Sequence, residues 1–313
     1  DVRCWWLAVV AVYFWISASV HAPESQSAQA FFEDDEGVYT TLKVARSPFE
    51  RNFEHLSSPP TTFYLEVGAN SDDDLLFNGV MDEPFSRGAF LISFEPLLDK
   101  YATLLARFTK KNAWSRLGLQ HNRSLVLPFA VGCSGSANFH VAQADGCSSL
   151  LEPRGHDFMR DPKSGGWAWY VPWTCIWEVE RRQVPCISLE HVIGRWLRGH
   201  SVEYLKIDAQ GYDLNVVQSA GRYVEQLQCV TLEVQCDSVA KLYVGAPNCT
   251  HVYAQMRRLG FVTSFRPDTC RWCMEADVHF ARVGARLPPM LHRLGWGGGA
   301  GAHSSEPGGI TRA

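Results

Sequence analysis

The chain has 313 residues, with Lys+Arg 29 against Asp+Glu 33 and a net charge of −4. Apolar residues at 46% and charged residues at 20% are globular proportions, which excludes a mainly disordered, collagenous or coiled-coil protein. The length admits one or two domains with a real core, and no basic field or Lys/Arg block is present to hold nucleic acid.

Residues 4–20 (CWWLAVVAVYFWISASV) carry no charge, and Arg3 is the only basic residue before them. That length sits at the lower limit of the roughly 17–25 residues a bilayer span needs, and Trp5, Trp6, Tyr13 and Trp15 suit a membrane interface. Two readings stand open for 1–22: a cleaved secretory signal with a small-residue site near Val20-His21-Ala22, or an uncleaved signal-anchor. Pro23 beside that site favours the anchor. Residues 23–60, rich in Ser, Pro, Glu and Asp, read as a stem or linker. Two sequons, Asn122-Arg-Ser124 and Asn248-Cys-Thr250, and ten Cys point to the membrane or lumen of the secretory pathway. The pairing of the cysteines is not deducible from spacing. Cys270-x-x-Cys273 lacks a second Cys/His pair at ligand spacing, so no metal is expected.

From about 61 to 286, strand and helix patterns alternate. Thr62–Val67 ends at Gly68, and Ala89–Phe94 is closed by Glu95-Pro96. Leu97–Phe108 has helical periodicity. Leu125–Val131 reads as a third strand, with Asn138–Val141 as part of a hairpin. Leu189–Leu197 and Tyr212–Ala220 read as helices on either side of a fourth strand, Val202–Ile207. Cys229–Val234 is a fifth strand, Cys249–Leu259 a helix stopped by Gly260, and Phe261–Phe265 with Met274–Ala281 a final antiparallel pair. Such alternation predicts an α/β fold, a mainly parallel sheet with helices on both faces. A Trp-rich stretch at about 151–184 (Trp167, Trp169, Trp173, Trp177) interrupts it. The expectation there is an insertion over the strand ends, or a packed hairpin that buries its Trp. Residues 287–313 are a Gly/Pro-rich tail.

Ligands of open α/β sheets bind at the carboxyl ends of the strands. Those ends carry Glu66-Val-Gly-Ala-Asn70, Glu95, Asp208-Ala-Gln-Gly-Tyr-Asp213 and Glu233-Val-Gln235. Gly68 allows a tight turn and a close approach of ligand to backbone. Glu95 is placed to accept both hydroxyls of a ribose. The acidic lining, with Asp72-Asp-Asp74 opening the next segment, would repel a pyrophosphate and argues against a dinucleotide. S-adenosyl-L-methionine has no phosphate and carries a sulfonium, an ammonium and a ribose, so the charge pattern favours it.

The sequence resembles the FkbM-type S-adenosylmethionine-dependent methyltransferases. The matching stretches are Phe63-Tyr-Leu-Glu-Val-Gly-Ala-Asn70, Phe94-Glu-Pro96, Leu127-Pro-Phe-Ala-Val-Gly132, Val184-Pro-Cys-Ile-Ser-Leu-Glu190, Tyr204-Leu-Lys-Ile-Asp-Ala-Gln-Gly-Tyr-Asp213, Val217-x-x-Ala-Gly221 and Leu259-Gly-Phe261. They follow the family's order over roughly 60–270, and Lys206-Ile-Asp-x-Gln-Gly211 is the most specific. The resemblance implies a Rossmann-like class I methyltransferase fold with a seven-stranded sheet, and methyl transfer, usually to a hydroxyl oxygen. It implies that Glu66, Gly68, Ala69 and Asn70 line the methionine part of the cofactor, that Glu95 binds the ribose, and that Asp208 sits beside the methyl. One position departs: the family commonly has Gly two residues after the Asn of its first motif, and here that residue is Asp72.

A hydroxyl acceptor must lose a proton, which calls for a base within hydrogen-bond reach. Asp208 is the first candidate and His140 the second. Lys206 reads as an ion-pair partner of a neighbouring carboxylate. The Trp-rich insertion and the secretory features point to a small-molecule or glycan acceptor. Two rival readings remain: a catalytically inactive binding protein on the same fold, and a Golgi-type glycosyltransferase with Asp72-Asp-Asp74 as its nearest approach to a metal motif.

Overall fold

Short runs of β-branched and aromatic residues, each bounded by Gly, Pro or an acid, become the strands of a large sheet in the computed structural model. The structure describes residues 59–71, 75, 80–109, 123–161, 163, 173–263 and 275–288. The N-terminal apolar segment, the stem, Asp72-Asp-Asp74, Asn122, Trp167, Trp169, Cys270, Cys273 and the tail beyond 288 lie outside the described residues.

The strands are β1 (Thr62–Val67), β2 (Phe90–Phe94), β3 (Ser124–Leu127), β4 (Ala130–Val131), β5 (Gly135–Ala142), β6 (Glu178–Ile187), β7 (Ser201–Ile207), β8 (Leu227–Gln235), β9 (Phe261–Val262) and β10 (Glu275–Arg282). Seven of them form one sheet in the order β3-β2-β1-β7-β8-β10-β9. Its first five members run parallel, and β10 runs antiparallel to both β8 and β9. This is the predicted architecture, including the terminal antiparallel pair. Strands β1 and β2 are buried along nearly their whole length. Both faces are covered, which is why their sequences are continuous apolar runs without alternation.

Alternate β1 side chains serve different layers. Phe63, Leu65 and Val67 join Leu205, Leu232, Val192, Trp196, Val217 and Met256 on one face. Tyr64 joins Leu91, Tyr204, Met81 and Phe85 on the other. Each large apolar side chain buried this way contributes about 1.5–3 kcal/mol. The helices are α1 (Asp82–Ser86), α2 (Leu98–Thr109), α3 (His156–Arg160), α4 (Trp173–Ile176), α5 (Leu189–His191), α6 (Asp213–Gln218) and α7 (Cys249–Arg258). Ser188 and Asn248 cap α5 and α7, their side chains accepting from the His191 and His251 backbone N–H. The predicted helix over 189–197 divides into α5 and a π-helical turn, Val192–Trp196. Trp196 leaves that turn stacked on Phe94, with ring centroids 6.4 Å apart.

Two expectations are corrected. The third strand is not continuous over 125–131. Pro128 has no N–H to extend the ladder, and the chain leaves the large sheet there. β4 then opens a second sheet, ordered β4-β6-β5. The hairpin partner of 138–141 is β6, which pairs antiparallel with β5 and parallel with β4. The later part of the Trp-rich insertion is therefore strand. Its earlier part pairs with the loop after β8: Arg154 N–H donates to the Leu242 carbonyl and Val244 N–H to the Glu152 carbonyl, both at 2.8 Å. Phe158 of α3, Ile176 of α4, Leu242, Tyr243 and the half-buried Trp177 form an apolar cluster there. The described residues of the insertion thus form a packed cap.

Disulfides join Cys133 to Cys186 and Cys147 to Cys175. Cys236 and Cys249 are disulfide-bonded as well, and Cys229 is a buried free thiol. Among the described residues no helix is long and apolar enough to cross a membrane, and no cluster of His, Cys, Asp and Glu could hold a metal ion.

Candidate active site

The strand order reverses at β1: the chain moves to β2 on one side and later returns to β7 on the other. A crevice at the carboxyl ends of these two strands follows from that reversal. A cleft with a cavity volume of about 60 Å³ opens there, lined by Gly68, Asn70, Glu95, Lys100, Asp145 and Asp208, with apolar walls from Phe129, Phe139 and Leu150.

The turn after β1 is stapled to both neighbouring strands. Gly68 and Ala69 N–H both donate to the Phe94 carbonyl, at 3.0 and 3.1 Å, and Asp208 N–H donates to the Val67 carbonyl at 2.9 Å. Asn70 takes a left-handed conformation, φ 52°, which Asn tolerates better than most residues. Its N–H donates to Glu95 Oε2 at 2.8 Å, and Leu97 N–H donates to Glu95 Oε1 at 2.8 Å. Burial pushes the Glu95 carboxyl up to about 7, against the pull of these two N–H groups and of Lys100. At the rim, Lys100 Nζ from α2 lies 2.5 Å from Asp145 Oδ2, in the 3-10 turn Asp145–Cys147. Cys147 of that turn is tied to Cys175 on α4.

On the far side, Gln210 organises a group of acids. Its Nε2 donates to Asp208 Oδ1 at 2.7 Å and to Glu233 Oε2 at 2.8 Å. Its backbone is left-handed, φ 52°, and is held by the Ser149 hydroxyl, which donates to the Gln210 carbonyl at 2.9 Å. The Tyr243 hydroxyl lies 2.8 Å from both Gln210 Oε1 and the Cys147 carbonyl. The buried Asp213 carboxylate accepts from Gly211 N–H and Glu233 N–H, each at 3.2 Å. Burial first, then the repulsion of neighbouring carboxylates, pushes Asp213 and Glu233 above the usual carboxylate range. Burial does the same to Asp208, although the Gln210 amide and Lys206 oppose it.

Of the residues singled out in the sequence, Gly68, Asn70, Glu95 and Asp208 meet in this cleft. Glu66 lies fully buried beneath it, 3.9 Å from Lys206 Nζ, the ion pair expected for Lys206. Ala69 packs on Leu104 and Val126. Phe139 lines the cleft, whereas its strand neighbour His140 does not. His140 Nδ1 sits 2.5 Å from Glu178 Oε2. Lys100, Asp145 and the bridging role of Gln210 were missed. Lys100 stands three residues after Leu97 at the start of α2, a spacing that could have pointed it to the side Leu97 takes at the cleft. Asp145 carried no signal, because it arrives on the turn after β5 and not from an end of the parallel strands.

This strand order, with its cleft at the reversal, is that of the Rossmann-like class I methyltransferases. More narrowly, the chain belongs to the FkbM methyltransferases: the family model described as Methyltransferase FkbM domain matches residues 66–263. None of the curated proteins compared with it matches.

Proposed function

We propose that this methyltransferase holds S-adenosyl-L-methionine in the cleft between β1 and β7 and methylates a hydroxyl oxygen of a sugar or other small acceptor in the secretory pathway. The observation that carries the reading is the convergence of Glu95 and Asp208 on one cleft, on either side of the Gly68 turn. The residues present suit the cofactor. Glu95, already fixed by two backbone donors, would accept from the ribose hydroxyls. Gly68 and Asn70 would border the amino-acid part, and Phe129, Phe139 and Leu150 would flank the adenine. The acids favour the sulfonium and disfavour a diphosphate.

When bound, the cofactor supplies an electrophilic methyl group on sulfur. The chain's own residues position the acceptor and manage its proton. Asp208 would take the proton of the acceptor hydroxyl. Gln210 orients Asp208 by donating to its Oδ1. His140, held by Glu178, has no part in this assignment.

Bonded cysteines are at home in an oxidising compartment, and Asn248 of the second sequon is exposed. These features support a lumenal catalytic domain, 61–286, carried by the 1–22 anchor on the 23–60 stem, with the 287–313 tail following. The test is calorimetry of the full chain with S-adenosylmethionine, beside Glu95→Ala. Binding that Glu95→Ala abolishes is expected, and no binding by folded wild type overturns the enzyme reading. Incubation with methyl-labelled cofactor and a glycan pool then reports the acceptor. An alkali-stable methyl ether is expected, and an alkali-labile ester would replace the hydroxyl by a carboxyl acceptor.

A further inference from the structure

The cofactor cleft borders the second sheet at β4, and another cavity borders it one strand over, at β6. Ala130 and Val131 of β4 line that cleft. Their register partners on β6, Cys186 and Ile187, line a separate cavity of about 280 Å³. Its remaining walls include Ser134, Ser188, Glu190, Arg195, Arg222 and Tyr223. No residue of this cavity enters the methyl-transfer scheme above.

Contacts within the protein organise the cavity. Gly194 lets Tyr223 lie against the π-helical turn: a Cβ at 194 would stand 2.6 Å from the Tyr223 ring. The Arg222 guanidinium lies 5.0 Å from the centroid of that ring, and its Nε is 3.4 Å from Glu190 Oε1. The Cys133 to Cys186 disulfide fixes the opposite wall.

The chemistry of the lining selects among ligands. Two guanidinium groups favour a carboxylate or a sulfate and can bind it through paired N–H groups. The Glu190 carboxylate opposes a bare anion but accepts from hydroxyls. Ser134 and Ser188 both donate and accept. Tyr223 offers an aromatic surface against which a half-apolar ring can pack. These preferences are met together by a ring that carries several hydroxyls and one negative charge.

We propose that this cavity binds a single acidic sugar residue and so anchors a glycan beside the cofactor cleft. The anchoring role rests on the acceptor class proposed above, while the binding itself does not.

The test uses the full chain and three probes: methyl glucuronide, methyl glucoside and inorganic sulfate. Saturation-transfer NMR and calorimetry should show saturable glucuronide binding, with the glucoside and sulfate each weaker by about tenfold or more. Arg222→Ala and Arg195→Ala should each weaken the glucuronide by about tenfold. Both arginines are exposed, so the variants should fold and keep wild-type affinity for S-adenosylmethionine. Loss of cofactor binding in the wild type would sink the enzyme reading and leave the sugar result standing. The proposal is overturned if glucuronide does not saturate, if sulfate binds as well, if neither arginine variant weakens it, or if S-adenosylmethionine displaces it.

Discussion

A Cβ placed on Gly68 would stand 1.9 Å from the carbonyl oxygen of Asp208. The first turn of the cleft and the last residue of its floor are thus in backbone contact, and β1 and β7 deliver their motifs to one point. Gly68 also has φ 78°, where an L side chain is strained. Gly68→Ala must push β1 away from β7 as well as distort its own backbone. We expect a loss of about 2–4 kcal/mol in urea unfolding, with cofactor binding undetectable by calorimetry in whatever fraction still folds. Wild-type affinity in this variant would separate Gly68 from the site.

Glu95 makes two pH effects run in opposite directions. The residue is 4% exposed, and burial raises its carboxyl from 4.5 to about 7. The native state therefore holds the proton more tightly than the unfolded chain. The stability this contributes is present below about pH 4.5 and is lost as pH rises through about 7, by about 3 kcal/mol. Cofactor affinity should do the reverse, because the ionised carboxylate accepts from hydroxyls at both oxygens. Asp208, Asp213 and Glu233 are also raised, chiefly by burial, and steepen the stability slope. Comparing wild type with Glu95→Gln isolates its share. The urea midpoint of the apoprotein from pH 5 to 8 should flatten in Glu95→Gln, and so should the rise in affinity. Parallel slopes in the two proteins would remove Glu95 from both effects.

The large sheet was legible in the sequence because each of its buried strands is a run of apolar residues with a sharp end. Gly68, Glu95 and Asp208 were legible for the same reason, since strand ends at a chain reversal are where α/β folds place ligands. The second sheet was not. β4 is two residues long, and β5 finds β6 only across the whole insertion, a pairing that local periodicity cannot report. Asp145 and the Tyr243 to Gln210 contact depend on that pairing and stayed hidden with it. Pro128 was the one local sign that the third strand divides.

The Cys147 to Cys175 disulfide should govern cofactor affinity more than the Cys133 to Cys186 disulfide does. Both close loops, of 28 and 53 residues in separation, and each should be worth about 3–4 kcal/mol of stability by restricting the unfolded chain. Only the first holds the rim turn that carries Asp145 and presents the Cys147 carbonyl to Tyr243. The Cys147→Ser/Cys175→Ser pair should therefore lower the melting temperature and weaken S-adenosylmethionine. The Cys133→Ser/Cys186→Ser pair should lower the melting temperature with a smaller change in affinity. Calorimetry of both pairs below their melting transitions decides it. Equal losses of affinity would mean that the rim is held by packing rather than by the bridge.

Asp208 and Glu233 share one amide donor, and their substitutions should separate chemistry from charge. Asp208→Asn keeps the volume and the contact with Gln210 but cannot accept the acceptor's proton. Methyl transfer should fall by about 10²–10⁴ while S-adenosylmethionine binding changes little, read by labelled-methyl incorporation beside calorimetry. Glu233 is held above the usual carboxylate range by burial and by Asp208, so near neutral pH it is protonated and Gln imitates it. Glu233→Gln should therefore transfer methyl at near the wild-type rate at pH 7. Its stability should diverge from wild type only as pH rises. Wild type loses stability as Glu233 is forced to ionise among Asp208, Asp213, Glu275 and Asp277, and the Gln variant has no proton to lose. A melting-temperature advantage for Glu233→Gln that grows from pH 6 to pH 9 is the expected result. Equal melting temperatures at both pH values would mean that Glu233 is ionised throughout, and the buried acids would then have to be balanced by Lys206 and Lys241 alone.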